Sequence, residues 1–571
     1  MITNYKAREG GSVMWSQNYD PLGVGWLSTL LAALPVVVML GGLGFFHARA
    51  HVAALAGLAT AILVAIFVFD MPTALAANAA AFGAAYGLLP IGWIVLNIIF
   101  LYQLTQERGQ FQIMRDSIAG ITQDSRLQLL LIAFCFGAFF EGAAGFGTPV
   151  AVTGAMLIGL GFSKLQASGL SLIANTAPVA FGALGTPVIA LAAVSGLPLL
   201  DLSAIIGRQL AVFSLIVPVW LIVAYCGWRR AWEIWPAILV TGISFAVPQF
   251  LMSNFHGPWL VNVVAALVAM GTLIAFLKIW HPRSIMAVNE APRSKLDDDI
   301  DAPSSQAQPN NTQPALTAAA VRAAWTPWLI LTVLVFIWGL PQIKSAIDSV
   351  VGLPIEWRGL HLMIERVPPV VAAAEAEKAV YNLNLFSATG TAILLAALIG
   401  GRMMGASTGQ LWGTYRRTLK LVAPSLITIS AMLSLGYLTR FSGIDASLGL
   451  AFAGTGVLYP FFGTLLGWLG VALTGSDTAS NVLFGSLQRI TAEQLGLSPV
   501  LMASANSTGG VMGKMIDAQS IVVASTATQW YGQEGRILRY VFWHSLVLAT
   551  LVGGMVMLQA YVPPFTATAI P

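Results

Sequence analysis

The sequence predicts an all-α polytopic membrane protein, with about 12 or more transmembrane helices and two internal repeats that contain broken or re-entrant helices. Three observations lead there. First, 57% of the 571 residues are hydrophobic and 9% are charged, with a mean hydropathy of +0.78, where a soluble domain carries about 25% charge. Second, apolar runs of the roughly 20 residues a bilayer requires recur from residue 24 to residue 562. Third, two clusters, 127–199 and 461–526, hold shorter apolar segments separated by glycine, proline and small polar residues. A transmembrane barrel would show alternating segments of about 10 residues instead.

Taken in order, residues 1–23 form a polar N-terminal tail. The first apolar run, 24–46, is longer than a signal-peptide core and has no basic stretch against it, so it reads as a retained span. The first transmembrane half, 24–280, includes the patterned region 127–199. Residues 281–324, rich in Asp, Pro, Asn, Gln and Ser, have the composition of a disordered linker, which is placed in the cytoplasm. The second half, 325–571, includes the patterned region 461–526, and its long connection 344–384 contains AAAEAEKAVYNL, read as a small external helical element.

Charge serves topology here. The net charge of +4 is small and spread over loops, so it does not suggest nucleic-acid binding. Arg108, Arg115 and Arg126, then Arg229 and Arg230, then Arg402, Arg416, Arg417 and Lys420, then Arg536 and Arg539 fall between apolar segments and mark the cytoplasmic side. Alternation puts the N-terminal tail outside, against which stand its own Lys6 and Arg8. Cys135 and Cys226 both lie in apolar runs, where a buried thiol is expected rather than a bridge or metal site.

The two clusters match each other. The first reads EGAAGFGTP from Glu141 and LIANTAPVAFGALGTP around Asn175; the second reads LTGSDTASN from Leu473 and ANSTGGVMGKMIDAQS around Asn506. Gly142 to Asn175 is 33 positions and Gly475 to Asn506 is 31. A helix broken inside a membrane exposes backbone groups that only protein or a water-filled cavity can satisfy. Its half-helix N-terminus then suits an anion and its unwound carbonyls suit a cation. The alternative for each patch is small-residue packing of the GxxxG kind.

Intramembrane ionisable residues are functional candidates by default. Glu141 is the only charge between Arg126 and Lys164, and its alternative role is as a structural carboxylate bound to broken backbone. Asp477 stands among Thr474, Ser476, Thr478 and Ser480, where capping of the next half-helix is the rival role. Lys514 would meet a substrate carboxylate or pair with Asp477 or Asp517. His544, Arg208 and Arg440 lie near segment ends, where snorkelling or capping is expected.

The runs AFCFGAFFEGAAGFGTPVAVTGAML, LIANTAPVAFGALGTPV, LGWLGVALTGSDTASNVLFGSLQ and ANSTGGVMGKMIDAQSI, with MWSQNYDP near the start and FSATGTAIL at 386, closely resemble the bacterial L-lactate permease family over nearly the whole chain. The resemblance implies a multi-pass transporter of the bacterial cytoplasmic (inner) membrane that carries lactate, glycolate or related 2-hydroxy monocarboxylates together with a proton. Members tend to begin at the element that here starts at Met14, so residues 1–13 read as an extension or a misassigned start. The wider grouping that this family resembles uses paired re-entrant hairpins and Ser-Asn-Thr patches, which invites comparison with Asn175-Thr176 and Asn506-Ser507-Thr508.

The expected substrate site is therefore Gly142, Gly145, Gly147, Thr148, Asn175, Thr176, Gly475, Ser476, Thr478, Asn506, Ser507, Thr508 and Lys514, with Glu141 and Asp477 as proton carriers. A carboxyl taken out of water favours its neutral form, which is what a proton carrier needs. The partners expected are a small monocarboxylate, a proton and the lipid bilayer, with no nucleic acid, no metal and no cofactor; a homo-oligomer stays open. A sodium-coupled carboxylate symporter is the alternative. An enzyme is disfavoured, since HExxH is absent and none of the six histidines is paired at ligand spacing.

Overall fold

Most of the chain is helical, as apolar spans must be when no water can satisfy their backbone. The computed structural model describes residues 5–7, 13–44, 48–145, 147–291, 317–371, 373–530 and 533–570. Among these, ten helices are long and apolar enough to cross a membrane, and one bent pair makes an eleventh.

The first half runs α1 Gly25–Gly44, α2 Ala50–Phe67, and α3 Thr73–Tyr86, which passes through a kink at Gly87–Gly92 into α4 Trp93–Glu107. After α5 Gln110–Ala119, α6 Ser125–Gln128 is capped by Asp124 and winds through Leu129–Phe136 into α7 Gly137–Ala143. Then come α8 Thr148–Gly159, α9 Lys164–Ala174, α10 Gly182–Ser195, α11 Leu199–Trp232, α12 Trp235–Phe255 and α13 Val261–Phe276. The second half runs α14 Ala318–Gly339, α15 Pro341–Val351, α16 Thr389–Met403, α17 Thr408–Ser442, α18 Ile444–Phe452, α19 Tyr459–Thr474, α20 Asp477–Gln494, α21 Pro499–Gly513, α22 Ala518–Ala527 and α23 Glu534–Tyr561.

One departure from the all-helical expectation lies outside the spans. The 344–384 connection carries strands β3 Leu353–Glu356, β4 Ile364–Arg366, β5 Glu375–Ala376 and β6 Val380–Leu383, and the tail carries β1 Tyr5–Ala7 and β2 Val13–Ser16. β2 lies parallel to β4 with Trp15 opposite Ile364, and Trp15 is fully buried. AAAEAEKAVYNL has the composition of a helix, yet its edges pair with β4 and β3; cross-strand partners outweigh a local propensity of a few tenths of a kcal/mol per residue. Part of the expected linker, 292–316, lies outside the described residues. Its start is anchored: Ser125 donates to the Met286 carbonyl, and Asp124 accepts from the Met286 amide at 3.0 Å.

Two helical hairpins enter the molecule from opposite ends. α17, 35 residues long, marks the axis. Near its start Arg417 pairs with Glu107, and near its end Arg440 pairs with Glu377 of the sheet. The hairpin of α6–α7 and α8 opens on the arginine-rich side, where buried Arg126 holds Asp124 and Glu233. Its arms run antiparallel, with Gly137 facing Thr153. The hairpin of α19 and α20 opens on the sheet side, where Gln494 donates to the Pro369 carbonyl. Its arms are laced by Ser480 to the Gly467 carbonyl and Gln488 to the Gly463 carbonyl.

Each hairpin is followed by a broken helix. Lys164–Ala174 and Val179–Ser195 bend by 68° across residues 175–178, and α21 gives way to α22 across 514–517. The packing is reciprocal: α10 lies on α20, while α22 lies on α8 and α9; α11 packs on α21, and α23 on α9. The α6–α7 arm is wholly enclosed by protein, whereas only 22% of the α1 window is. The α6–α7 arm thus lies at the core, and α1 and α2 lie toward the periphery.

Candidate functional site

The two hairpin tips and the two breaks meet around a cavity of about 130 Å³. From the first half it is lined by Glu141, Gly145, Val179, Gly182, Ala183, Thr186 and Pro187; from the second by Thr474, Gly475, Ser476, Asp477, Thr478, Lys514 and Gln519. A third wall comes from α17, whose Ser425, Thr428, Ile429 and Met432 share one face at i, i+3, i+4 and i+7.

The local sequence explains the breaks. Gly147-Thr148-Pro149 and Gly185-Thr186-Pro187 repeat one tripeptide, and both glycines have φ +79°. That left-handed geometry favours glycine, and proline at the next helix start has no amide hydrogen to leave unpaired. Ahead of Gly185, Ala183 and Leu184 also hold positive φ, at 42° and 56°, a strained run that turns the chain at the cavity. Gly475, at φ +71°, does the same at the second tip.

Glu141 is buried, and its Oε2 accepts from Asn175 Nδ2 at 3.0 Å. Its Oε1 lies against Gly182, where a Cβ would overlap it. Asp477 is buried too; its Oδ2 accepts from Ser507 at 2.6 Å and Asn481 at 3.2 Å, while Oδ1 has no hydrogen-bond partner among the described residues. The cap of α20 is Ser476, which accepts from the Ala479 amide. Asp477 is therefore not spent on capping. Lys514 donates to the Gly475 carbonyl at 2.6 Å and stands 3.4 Å from Asp517 Oδ2, so of its expected partners it has Asp517.

The other expected residues divide. Gly145, Gly475, Ser476 and Thr478 line the cavity. Asn175 and Ser507 touch its carboxyls without lining it. Gly142 instead packs on Asn262, whose Cβ a side chain at 142 would meet at 2.7 Å, and Gly147 and Thr148 start α8 outside the lining. Thr176 bonds back to the Ile173 carbonyl, and Thr508 bonds to Gln209. Asn506 sits within α21, bonded to Asn481 and Gln488.

Gly182, Ala183, Thr186 and the α17 face were absent from the expected site. The repeated GTP was a readable signal for the first group, and a Ser-Thr-Ile-Met stripe at helical spacing was the weaker signal for the second. The sequence does contain one Gly-x-Ser-x-Gly stretch, GASTG at 405–409. Its Ser407 caps α17 in a capping box with Gln410 rather than facing the cavity.

The family model described as L-lactate permease matches residues 28–563. The glycolate permease GlcA of Escherichia coli K12 is 45% identical over 555 residues, covering 96% of this chain and 99% of that protein. The L-lactate permease of Bacillus subtilis 168 is 43% identical over 564 residues, covering 96% and 99%. Among solved structures, the YdaH transporter of Alcanivorax borkumensis aligns over 96% of this chain and 98% of that one, with 15% identity and a TM-score of 0.42.

Proposed function

The chain belongs to the L-lactate permease family, a family of transporters rather than enzymes, and from that premise we propose that it carries L-lactate and related 2-hydroxy monocarboxylates such as glycolate across the bacterial cytoplasmic membrane, each with a proton. The observation that carries the reading is the convergence of Glu141, Asp477 and Lys514 on one small cavity between two broken elements. The names of the relatives, glycolate permease and L-lactate permease, supply the substrate class.

A carboxylate in the cavity meets three sources of positive potential: Lys514 and the first turns of α10 and α20, both of which reach the lining. Thr186 and Thr478 offer hydroxyls to the substrate's 2-hydroxyl. Either buried carboxyl, Glu141 or Asp477, takes up the proton on loading and returns it on release. One proton with one monovalent anion moves no net charge, so the pH gradient drives accumulation. The opposed hairpins and reciprocal packing support an inverted repeat, in which each tip closes the cavity to one side of the membrane.

The test is uptake of labelled lactate into proteoliposomes under an imposed pH gradient. Glu141→Gln or Asp477→Asn abolishes accumulation on this reading. Full pH-driven accumulation by both variants overturns the proton assignment, and competition by glycolate, pyruvate and both lactate enantiomers defines the substrate class.

A further inference from the structure

Behind Asp477 runs a file of buried polar side chains that the transport scheme does not use. Tyr459 Oη donates to Gln488 Oε1 at 2.7 Å, Gln488 Nε2 donates to Asn506 Oδ1 at 3.2 Å, and Asn506 Nδ2 donates to Asn481 Oδ1 at 3.0 Å. Asn481 Nδ2 closes the file on Asp477 Oδ2 at 3.2 Å. All five residues are buried.

The direction of each bond is pinned. Gln488 Nε2 also meets the Gly463 carbonyl, and Asn481 Nδ2 also meets the Pro187 carbonyl; neither carbonyl can donate, so these two amides cannot be turned around. Asn506 between them follows, because its oxygen must face one nitrogen and its nitrogen the other's oxygen. Every donor therefore points toward the carboxylate, and bonds in such a file polarise one another.

We propose that Tyr459, Gln488, Asn506 and Asn481 are positioning residues for proton coupling: they hold Asp477 so that its Oδ2 only accepts and the transported proton resides on Oδ1. This rests on the proton-coupled reading above. Oδ2 is already met by Ser507 and Asn481, whereas Oδ1 has no hydrogen-bond partner among the described residues. Beside Oδ1 stands Gly510, where a Cβ would come to 2.5 Å, so glycine keeps that flank free. The file also joins α19, α20 and α21 to the end of the α10 break through Pro187, so its geometry depends on both halves of the molecule.

Other charges bear on the same carboxyl. Lys514 after α21 and Glu141 on α7 act on Asp477, and Asp517 lies beyond Lys514. α10 and α19 carry no charged residue. Arg440 on α17 lies at the sheet end, where it pairs with Glu377, with Asp445 of α18 beside it. On α20 itself, Arg489 and Glu493 pair with each other at the far end.

The experiment measures pH-gradient-driven lactate uptake against pH for wild type, Asn481→Leu, Gln488→Met and Tyr459→Phe, each checked for monodispersity in detergent. Loss of a donor strengthens a carboxylate's hold on its proton. The pH midpoint is expected to rise by about one unit for Asn481→Leu and roughly half a unit for Gln488→Met. Tyr459→Phe gives the smallest rise, with KM for lactate at acidic pH within about twofold of wild type throughout. A purely structural role would lower the maximum rate without this graded shift. Unshifted midpoints in Gln488→Met and Tyr459→Phe, with wild type coupled, overturn the inference alone. Wild-type uptake indifferent to the pH gradient overturns the proton-coupled reading and the inference with it.

Discussion

Lys514 joins the second hairpin tip to the break in the helix that follows it: its ammonium donates to the Gly475 carbonyl at 2.6 Å and stands 3.4 Å from Asp517 Oδ2. Asp517 in turn caps α22 through the Ser520 amide at 2.7 Å. Lys514→Met strands a buried carboxylate, which costs about 3 kcal/mol, and it is expected to lower the melting temperature and abolish uptake. Asn at 517 keeps a cap, so Lys514→Met with Asp517→Asn is expected to regain most of the stability but none of the uptake. Uptake restored in the double variant would show that Lys514 serves only the pair.

Gly182 and Glu141 test the site's steric design. The φ of Gly182 is −64° with ψ 156°, a conformation alanine adopts freely, so the obstacle to a side chain there is the Glu141 carboxyl. Gly182→Ala is expected to cost about 1–3 kcal/mol and to reduce uptake more than tenfold. Gly159 on α8 has no neighbour within 4 Å of a built Cβ. Gly159→Ala should leave uptake intact and, if anything, stabilise by a few tenths to about 1 kcal/mol. Thermal melting and uptake of the pair give the comparison.

The broken elements were legible in the sequence because breaking a helix in lipid demands particular residues, and Glu141, Gly145, Gly475, Asp477 and Lys514 carry that demand openly. Equal intervals were a poorer guide. Asn175 caps the end of α9 at its break, whereas Asn506 lies inside α21, more than a turn before the break at 514–517. The matching counts of 33 and 31 positions therefore do not align equivalent places in the fold. The α17 wall was hidden for a different reason: a stripe of Ser, Thr, Ile and Met on an unbroken span has the pattern of any helix that packs on a neighbour. The strands of 344–384 were hidden in part because β4 is completed by β2, which lies more than 300 residues away, while β3–β6 and β4–β5 pair within a stretch of helix-like composition.

The arginine-rich end supplies a pH dependence outside the spans. The Arg126 guanidinium, hydrogen-bonded to Glu233 at 2.8 Å, holds that carboxyl below its usual range. A carboxyl depressed by folding contributes stability that is fully present above its unfolded value of about 4.3 and is lost as pH falls through the lower folded value. Glu233→Gln is expected to melt below wild type at pH 6, and the gap should close as the pH drops below about 4.5. Melting curves in detergent across that interval check it. A gap that persists unchanged at the acid end would assign the difference to packing rather than to the ion pair.

On the proposed function, the α17 face bears on which 2-hydroxy acid the cavity would admit. Ser425 and Thr428 place hydroxyls on the lining, and Ile429 and Met432 place the apolar surface beside them. A 2-hydroxy acid presents the same division, a polar carboxylate and hydroxyl against a hydrogen, methyl or longer chain at C2. An apolar pocket discriminates by about 1–3 kcal/mol per methylene, so truncating its wall should relax the upper size limit rather than abolish binding. Met432→Ala is expected to lower the ratio of KM for 2-hydroxybutyrate to KM for lactate by roughly tenfold, with glycolate uptake affected least. An unchanged ratio in Met432→Ala and in Ile429→Ala would place the C2 substituent against the α9–α10 break instead, where Val179 and Pro187 supply the apolar lining.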